Sequence, residues 1–314
     1  MKVTTTFSGA SDAGRSASGL SHCGVMSVPD LQQTSPREST LRAADGTHLF
    51  VLDWPAPVGQ PTCGGVVLMH GLGEHCGRYA HVAQFFNQLG WTVRAYDQRG
   101  HGRSSGPRGD VPADGTLLDD AAQVLADFSS THADLWVTPP LLFGHSMGGL
   151  FAARFATSAR LPLRGLILSS PLLVLRLTPF QSMLAAVMRR LAPGFAVSNG
   201  LKAAYLSHDL ALVAAYRIDP YGQGKISARL LRAIRAAIEQ VQRDAASLRL
   251  PVLMVVAGDD RLVDASGSEQ FYARSDPARV VMHRYPQMYH EIFNEIDKDQ
   301  VFDDLRVWLT QPGR

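Results

Sequence analysis

A serine stands between two glycines at a spacing that suits nucleophilic catalysis: Gly144, Ser146 and Gly148 in LLFGHSMGGLFAARF, residues 141–155. An apolar run leads into it and an alanine-rich stretch leads out, so the serine falls on a strand-to-helix corner. Such a corner strains the backbone, and side chains two positions to either side would collide with neighbouring main chain. Glycine removes them. The corner lifts the Ser146 hydroxyl above the strand ends and turns the first amides of the helix toward any oxyanion formed beside it. G-x-S-x-G by itself is also an ordinary glycine-rich turn, so its reading depends on its company.

Three further segments follow in the order that acyl transfer uses. HGLGEHCGRY (70–79) leaves the apolar run GGVVLM. A loop of this form supplies a second backbone N–H for a tetrahedral oxyanion, and the expected donors are the amides of Leu72 and Met147. His70 is read as a loop-stabilising histidine rather than the base. AGDDRLVD (257–264) places three acids at a strand tip, where a carboxylate can orient an imidazole and stabilise its charged form. Asp260 is taken as that acid, with Asp259 its main rival and Asp264 a third candidate. YPQMYHEIFNE then sets His290 beyond the last acid, completing the chain order Ser, Asp, His. Asp97 and His101, in YDQRGHGRSSG, are read as turn braces.

The elements that must hold these groups alternate between short apolar runs and helical stretches, which points to an α/β sheet. TLRAADGTHLFVLDW reads as a hairpin around Asp45-Gly46. GGVVLMH (64–70) and WTVRAYD (91–97) bracket a helix near 78–89, and PLLFGH and LRGLILSSP bracket the helix that begins at Ser146. LPVLMVVAGDD (250–260) and ARVVMHRYP (278–286) are later strands, and DKDQVFDDLRVWL is a closing amphipathic helix. The interval from Leu172 to Leu250 far exceeds the roughly 10 to 15 residues of one crossover helix. An insertion is therefore expected there. Within it, RLTPFQSMLAAVMRRL carries apolar residues at near-helical spacing, which pack the insertion or, if outward, offer a surface for lipid. ISARLLRAIRAAIEQVQRDA reads as the returning helix.

Taken together, HGLGEH-GRY, YDQRGHGRSSG, GHSMGG, GDDRLVD and YHE resemble the monoacylglycerol lipase and lysophospholipase branch of the α/β-hydrolases, grouped with the serine aminopeptidase S33-like hydrolases. The likeness runs from about residue 38 to the C-terminus. It implies a mostly parallel sheet with helices on both faces and an inserted helical cap, with Ser146 as nucleophile, Asp260 as orienting acid, His290 as base and Leu72 and Met147 as backbone oxyanion donors. The expected division is a flexible tail over 1–36, core over 37–171, cap over 172–248 and core again over 249–314. The implied substrate is a single-chain lipid ester, monoacylglycerol ahead of lysophospholipid, with no metal or organic cofactor. A small-ester carboxylesterase and a non-catalytic binding protein on the same fold are the alternatives; a filled set of three side chains weighs against the second. Asp-nucleophile relatives of this fold are disfavoured because the corner holds serine.

Composition bounds the rest. With 314 residues and 46% hydrophobic content, the chain can bury one large core, or a core and a smaller appended domain. A net charge of +2 without a dense basic tract gives no electrostatic case for nucleic acid. Three cysteines suit a reducing compartment. The Ser/Thr/Gly-rich start lacks the apolar stretch of a signal peptide, and Met26 is a second candidate initiator. No run of about 18 apolar residues occurs. The expectation is a cytoplasmic protein with peripheral membrane contact through its cap.

Overall fold

The computed structural model describes residues 35–57, 59, 62–133 and 138–311. The expected N-terminal tail lies outside these but for its last two residues. Strands β1 (Arg37–Arg42) and β2 (His48–Trp54) form the expected antiparallel hairpin, turned at Gly46, whose φ of 87° only glycine adopts readily. Then follow β3 (Gly64–Met69), α1 (Ala80–Gln88), β4 (Trp91–Tyr96), α2 (Thr116–Thr131), β5 (Leu141–His145), α3 (Met147–Thr157) and β6 (Gly165–Ser169). After the insertion come β9 (Val252–Ala257), α7 (Ser266–Arg274), β10 (Val280–Tyr285) and α8 (Asp299–Leu309). The insertion itself holds α4 (Pro179–Leu191), β7 (Ala196–Ser198), α5 (Leu210–Ile218), β8 (Lys225–Ser227) and α6 (Ala228–Asp244). Helices α2, α5 and α7 and the short strands β7 and β8 are elements that the sequence reading did not assign.

Eight strands lie in the order β1-β2-β4-β3-β5-β6-β9-β10. β2 runs antiparallel to β1 and β4, and all other pairs are parallel. Strands β3, β5, β6 and β9 are buried along their whole length, the mark of a parallel sheet covered on both sides. Side chains alternate between two cores. Val67 and Met69 of β3 and Val252, Met254 and Val256 of β9 meet α2, α3 and α6. Val66 and Leu68, with Leu253, Val255 and Ala257, meet α1 and α8 on the other face.

The interval between β6 and β9 divides physically in two. In α6, Leu230, Ala233, Ile234, Ala237 and Val241 fall on one helical face and are buried in the same core as α3. α4 buries none of its residues, although Thr178 and Gln181 close a capping box at its start and Pro179 opens its first turn. Phe180, Met183, Val187 and Leu191 all stand exposed on it. So α6 seats the insertion on the sheet, while α4 presents an apolar face outward. Within the described residues, no helix is long and apolar enough to cross a membrane.

Candidate active site

β5 ends at His145 and α3 starts at Met147, leaving Ser146 alone on the corner with φ 54° and ψ −118°. This is left-handed backbone that a non-glycine residue adopts only when its surroundings force it. Three hydrogen bonds do so: the Ser146 amide donates to the Ser169 carbonyl at 2.9 Å, and the Ser146 carbonyl accepts from Leu150 and Leu172, each at 3.0 Å. A Cβ on Gly144 would stand 2.5 Å from the Gly148 carbonyl oxygen, and one on Gly148 would stand 2.2 Å from that of Met69. Both obstacles are backbone and cannot swing aside. The glycines are sterically required.

His290 lies in the loop after β10 with its ring buried. The Ser146 hydroxyl donates to His290 Nε2 at 2.9 Å, and His290 Nδ1–H donates to Asp260 Oδ2 at 2.6 Å. The other Asp260 oxygen accepts the amides of Leu262 and Val263 at 2.9 and 2.8 Å, so the carboxylate is fixed by three donors. Asp259, the rival acid, turns outward to Arg261 at 2.8 Å and is 43% exposed. Asp264 caps the amide of Ser266 and pairs with Arg176. Of the three acids at this strand tip, Asp260 is the one hydrogen-bonded to His290.

Burial alone would push the His290 ring toward its neutral form, but the adjoining Asp260 charge and hydrogen bond outweigh it, holding the pKa above the ordinary histidine value. In Asp260, burial pushes upward, and the His290 charge together with the three donors outweighs it, leaving the carboxyl below its usual range. His145 stacks obliquely on His290 with ring centroids 4.7 Å apart. Full burial, reinforced by the His290 charge, presses its pKa down to about 4. The neighbour therefore stays neutral and does not compete for the proton.

Leu72 belongs to the loop leaving β3, and Met147 is the first residue of α3, where helix amides lack intrahelical acceptors. This loop presses on the corner: a Cβ on Gly71 would lie 3.2 Å from Ser146 Cβ. His70 Nε2 accepts the Gln98 amide at 2.8 Å, and its Nδ1 faces the Gly71 carbonyl at 2.7 Å. Desolvation lowers its pKa to about 4. It is a neutral brace. Asp97 accepts the amides of Cys76 and Arg103, and His101 Nδ1 faces the Arg99 carbonyl at 3.0 Å, so both tie turns.

A buried ion cluster beside the site was missed in the sequence reading. Glu74 Oε1 accepts the Gly71 amide at 2.5 Å and the Tyr79 hydroxyl at 2.7 Å. Arg78 bridges Glu74 at 2.8 Å and Glu291, the residue after His290, at 2.7 and 2.8 Å. The signal was present as an acid and a base inside HGLGEHCGRY and an acid directly after the histidine. Among the described residues, no group of three or more His, Cys, Asp or Glu side chains is arranged to hold a metal ion.

The pattern of the serine aminopeptidase S33 family matches residues 60–297. A monoacylglycerol lipase from Mycolicibacterium smegmatis is 38% identical over 88% of this chain and 98% of its own. The human monoglyceride lipase is 29% identical over 85% of this chain and 88% of its own. Among solved structures, the Paleococcus ferrophilus monoacylglycerol lipase superposes with a TM-score of 0.75 at 30% identity, covering 83% of this chain and 98% of its own. A soluble variant of the Saccharomyces cerevisiae monoglyceride lipase, in complex with a substrate analog, gives 0.80 at 24% identity over 90% and 97%.

Proposed function

Because the chain belongs to the serine aminopeptidase S33 family and folds as an α/β-hydrolase, we propose that it hydrolyses the ester bond of monoacylglycerols through an acyl-enzyme on Ser146. It is a carboxylic ester hydrolase acting on lipids. The observation that carries the finer reading is the continuous hydrogen-bond path from the Ser146 hydroxyl through His290 to Asp260.

His290 Nε2 takes the Ser146 proton as the oxygen attacks the ester carbonyl. The amides of Leu72 and Met147 receive the oxyanion, a pair of donors worth about 3 kcal/mol each at the transition state. Asp260 holds the imidazole in the tautomer whose Nε2 can accept and stabilises the imidazolium once it forms. His290 then protonates the departing glycerol. Water, deprotonated by the same nitrogen, cleaves the acyl-enzyme and restores the hydroxyl. Ser146→Ala or His290→Ala lowers turnover by about 10⁶-fold, since the three groups act as a unit.

The cap over 172–248 covers the strand ends, and its outward α4 makes transient contact with a lipid surface. Its exposed Phe180, at 67%, and Leu191, at 79%, support that role. Purified protein offered long-chain monoacylglycerol, lysophospholipid and short p-nitrophenyl esters tests the substrate. The reading predicts the highest kcat/KM for monoacylglycerol. Preference for the short esters would make the protein a small-ester carboxylesterase, and turnover of none of them would favour a binding protein.

A further inference from the structure

The two loops that carry the working groups come from distant parts of the chain, one after β3 and the other after β10. Arg78 ties them together. Arg78 holds Glu74 with one guanidinium nitrogen and grips both oxygens of Glu291 in a fork. Glu74 in turn fixes the Gly71 amide one residue before the expected oxyanion donor Leu72. Glu291 follows His290 directly, and its own amide donates to the Leu206 carbonyl of the cap at 2.8 Å. The three side chains are 10%, 5% and 5% exposed, and Tyr216 of α5 covers the guanidinium face at 4.9 Å.

Resting on the hydrolase reading above, we propose that Arg78 is a positioning residue: it sets the distance between the oxyanion loop and the His290 loop by bridging Glu74 to Glu291. A rigid two-sided bridge is what a bidentate guanidinium supplies and a lysine ammonium does not. The bridge acts on the transition state more than on the bound substrate. Donor and base must converge on one carbonyl carbon only as it becomes tetrahedral. Its removal costs turnover and leaves substrate affinity in place.

Arg78→Met alone would strand two buried carboxylates, so the decisive variant is Arg78→Met/Glu291→Gln, which severs the bridge while conserving the net charge of the cluster. Its kcat falls about 10- to 100-fold with KM within about twofold of the parent. Arg94→Met, which breaks a buried ion pair with Asp53 remote from the site, lowers the melting temperature but keeps kcat. The low-field proton resonance of the His290–Asp260 hydrogen bond, readable without turnover, broadens in the double variant and persists in Arg94→Met. A double variant with parental kcat and an unchanged resonance overturns the bridge. Absence of Ser146-dependent turnover in the parent overturns the hydrolase reading instead, and the resonance then judges the bridge alone.

Discussion

Ser146, His290 and Asp260 meet with no slack, and their charges follow from that contact. Under the proposed mechanism the raised His290 pKa sets the acid limb of activity: the ring must be neutral to accept the serine proton, so kcat/KM is predicted to rise with pH through a midpoint above the ordinary 6.5. Asp260→Asn removes the charge that raises it. The midpoint then moves to lower pH, and kcat drops by about 10⁴-fold because the tautomer is lost; a pH-rate profile of both proteins reads the two effects together. Linkage runs in opposite senses for the pair. The His290 contribution to stability is complete below its unfolded pKa and disappears as pH rises through the raised folded value, whereas that of Asp260 is present above its unfolded pKa and is lost as pH falls through the lowered one. At this scale, the sequence exposed each of the three residue types through local punctuation: glycines two to either side of Ser146, acids at a strand tip, a histidine past the last strand. It did not expose Arg78. An ion bridge between residues 78 and 291 leaves no periodic trace, and only the fold brings them together.

Among the elements, the corner between β5 and α3 is the least tolerant of change. Gly148→Ala places a methyl 2.2 Å and 2.4 Å from the carbonyl oxygens of Met69 and His70, an overlap that costs about 3 kcal/mol or more and displaces Ser146. Chemical unfolding and the rate of labelling by a fluorophosphonate should fall together. α4 behaves in the reverse way. Phe180→Ser/Leu191→Ser alters exposed side chains, so the melting curve shifts by no more than the effect of about 0.5 kcal/mol per site. Co-sedimentation with phosphatidylcholine vesicles and KM for long-chain monoacylglycerol worsen, while KM for short esters is unchanged. Equal effects on both substrates would remove α4 from lipid contact. Legibility among the elements followed continuity of pattern. β3, β5 and β9 are unbroken apolar runs bounded by turns and were readable. α2 has helical spacing at Leu117, Leu118, Ala121, Val124, Leu125 and Phe128, but Gly115 at its start makes no side-chain cap, so the usual opening signal is missing. β7 and β8 are three residues each, and their pairing is tertiary.

Taken whole, the molecule buries several histidines that must stay neutral. His70 and His145 are pressed by desolvation to about 4, and His101 to about 3. In each, the unfolded chain binds a proton first, so stability falls as pH drops below the unfolded value, by about 1.4 kcal/mol per pH unit for each ring. His290 contributes no slope of its own well below 6.5, where it is protonated in both states. The melting temperature should decline steadily from pH 6.5 to pH 4.5; a flat profile would show that these rings are not buried neutral. The α/β sheet was legible because it rests on alternation, and its two covered faces followed from the family resemblance. The depth to which α6 joins the main core was not legible, because a buried helical face looks the same whichever surface receives it. Mass-spectrometric mapping of a fluorophosphonate adduct, made in parallel with long-chain monoacylglycerol hydrolysis by the parent and by Ser146→Ala, decides whether Ser146 is the nucleophile. One modified peptide, containing Ser146, is expected, with hydrolysis lost in proportion to labelling and absent from the variant. Persistent hydrolysis by Ser146→Ala, or an unlabelled Ser146 in active protein, would contradict that assignment.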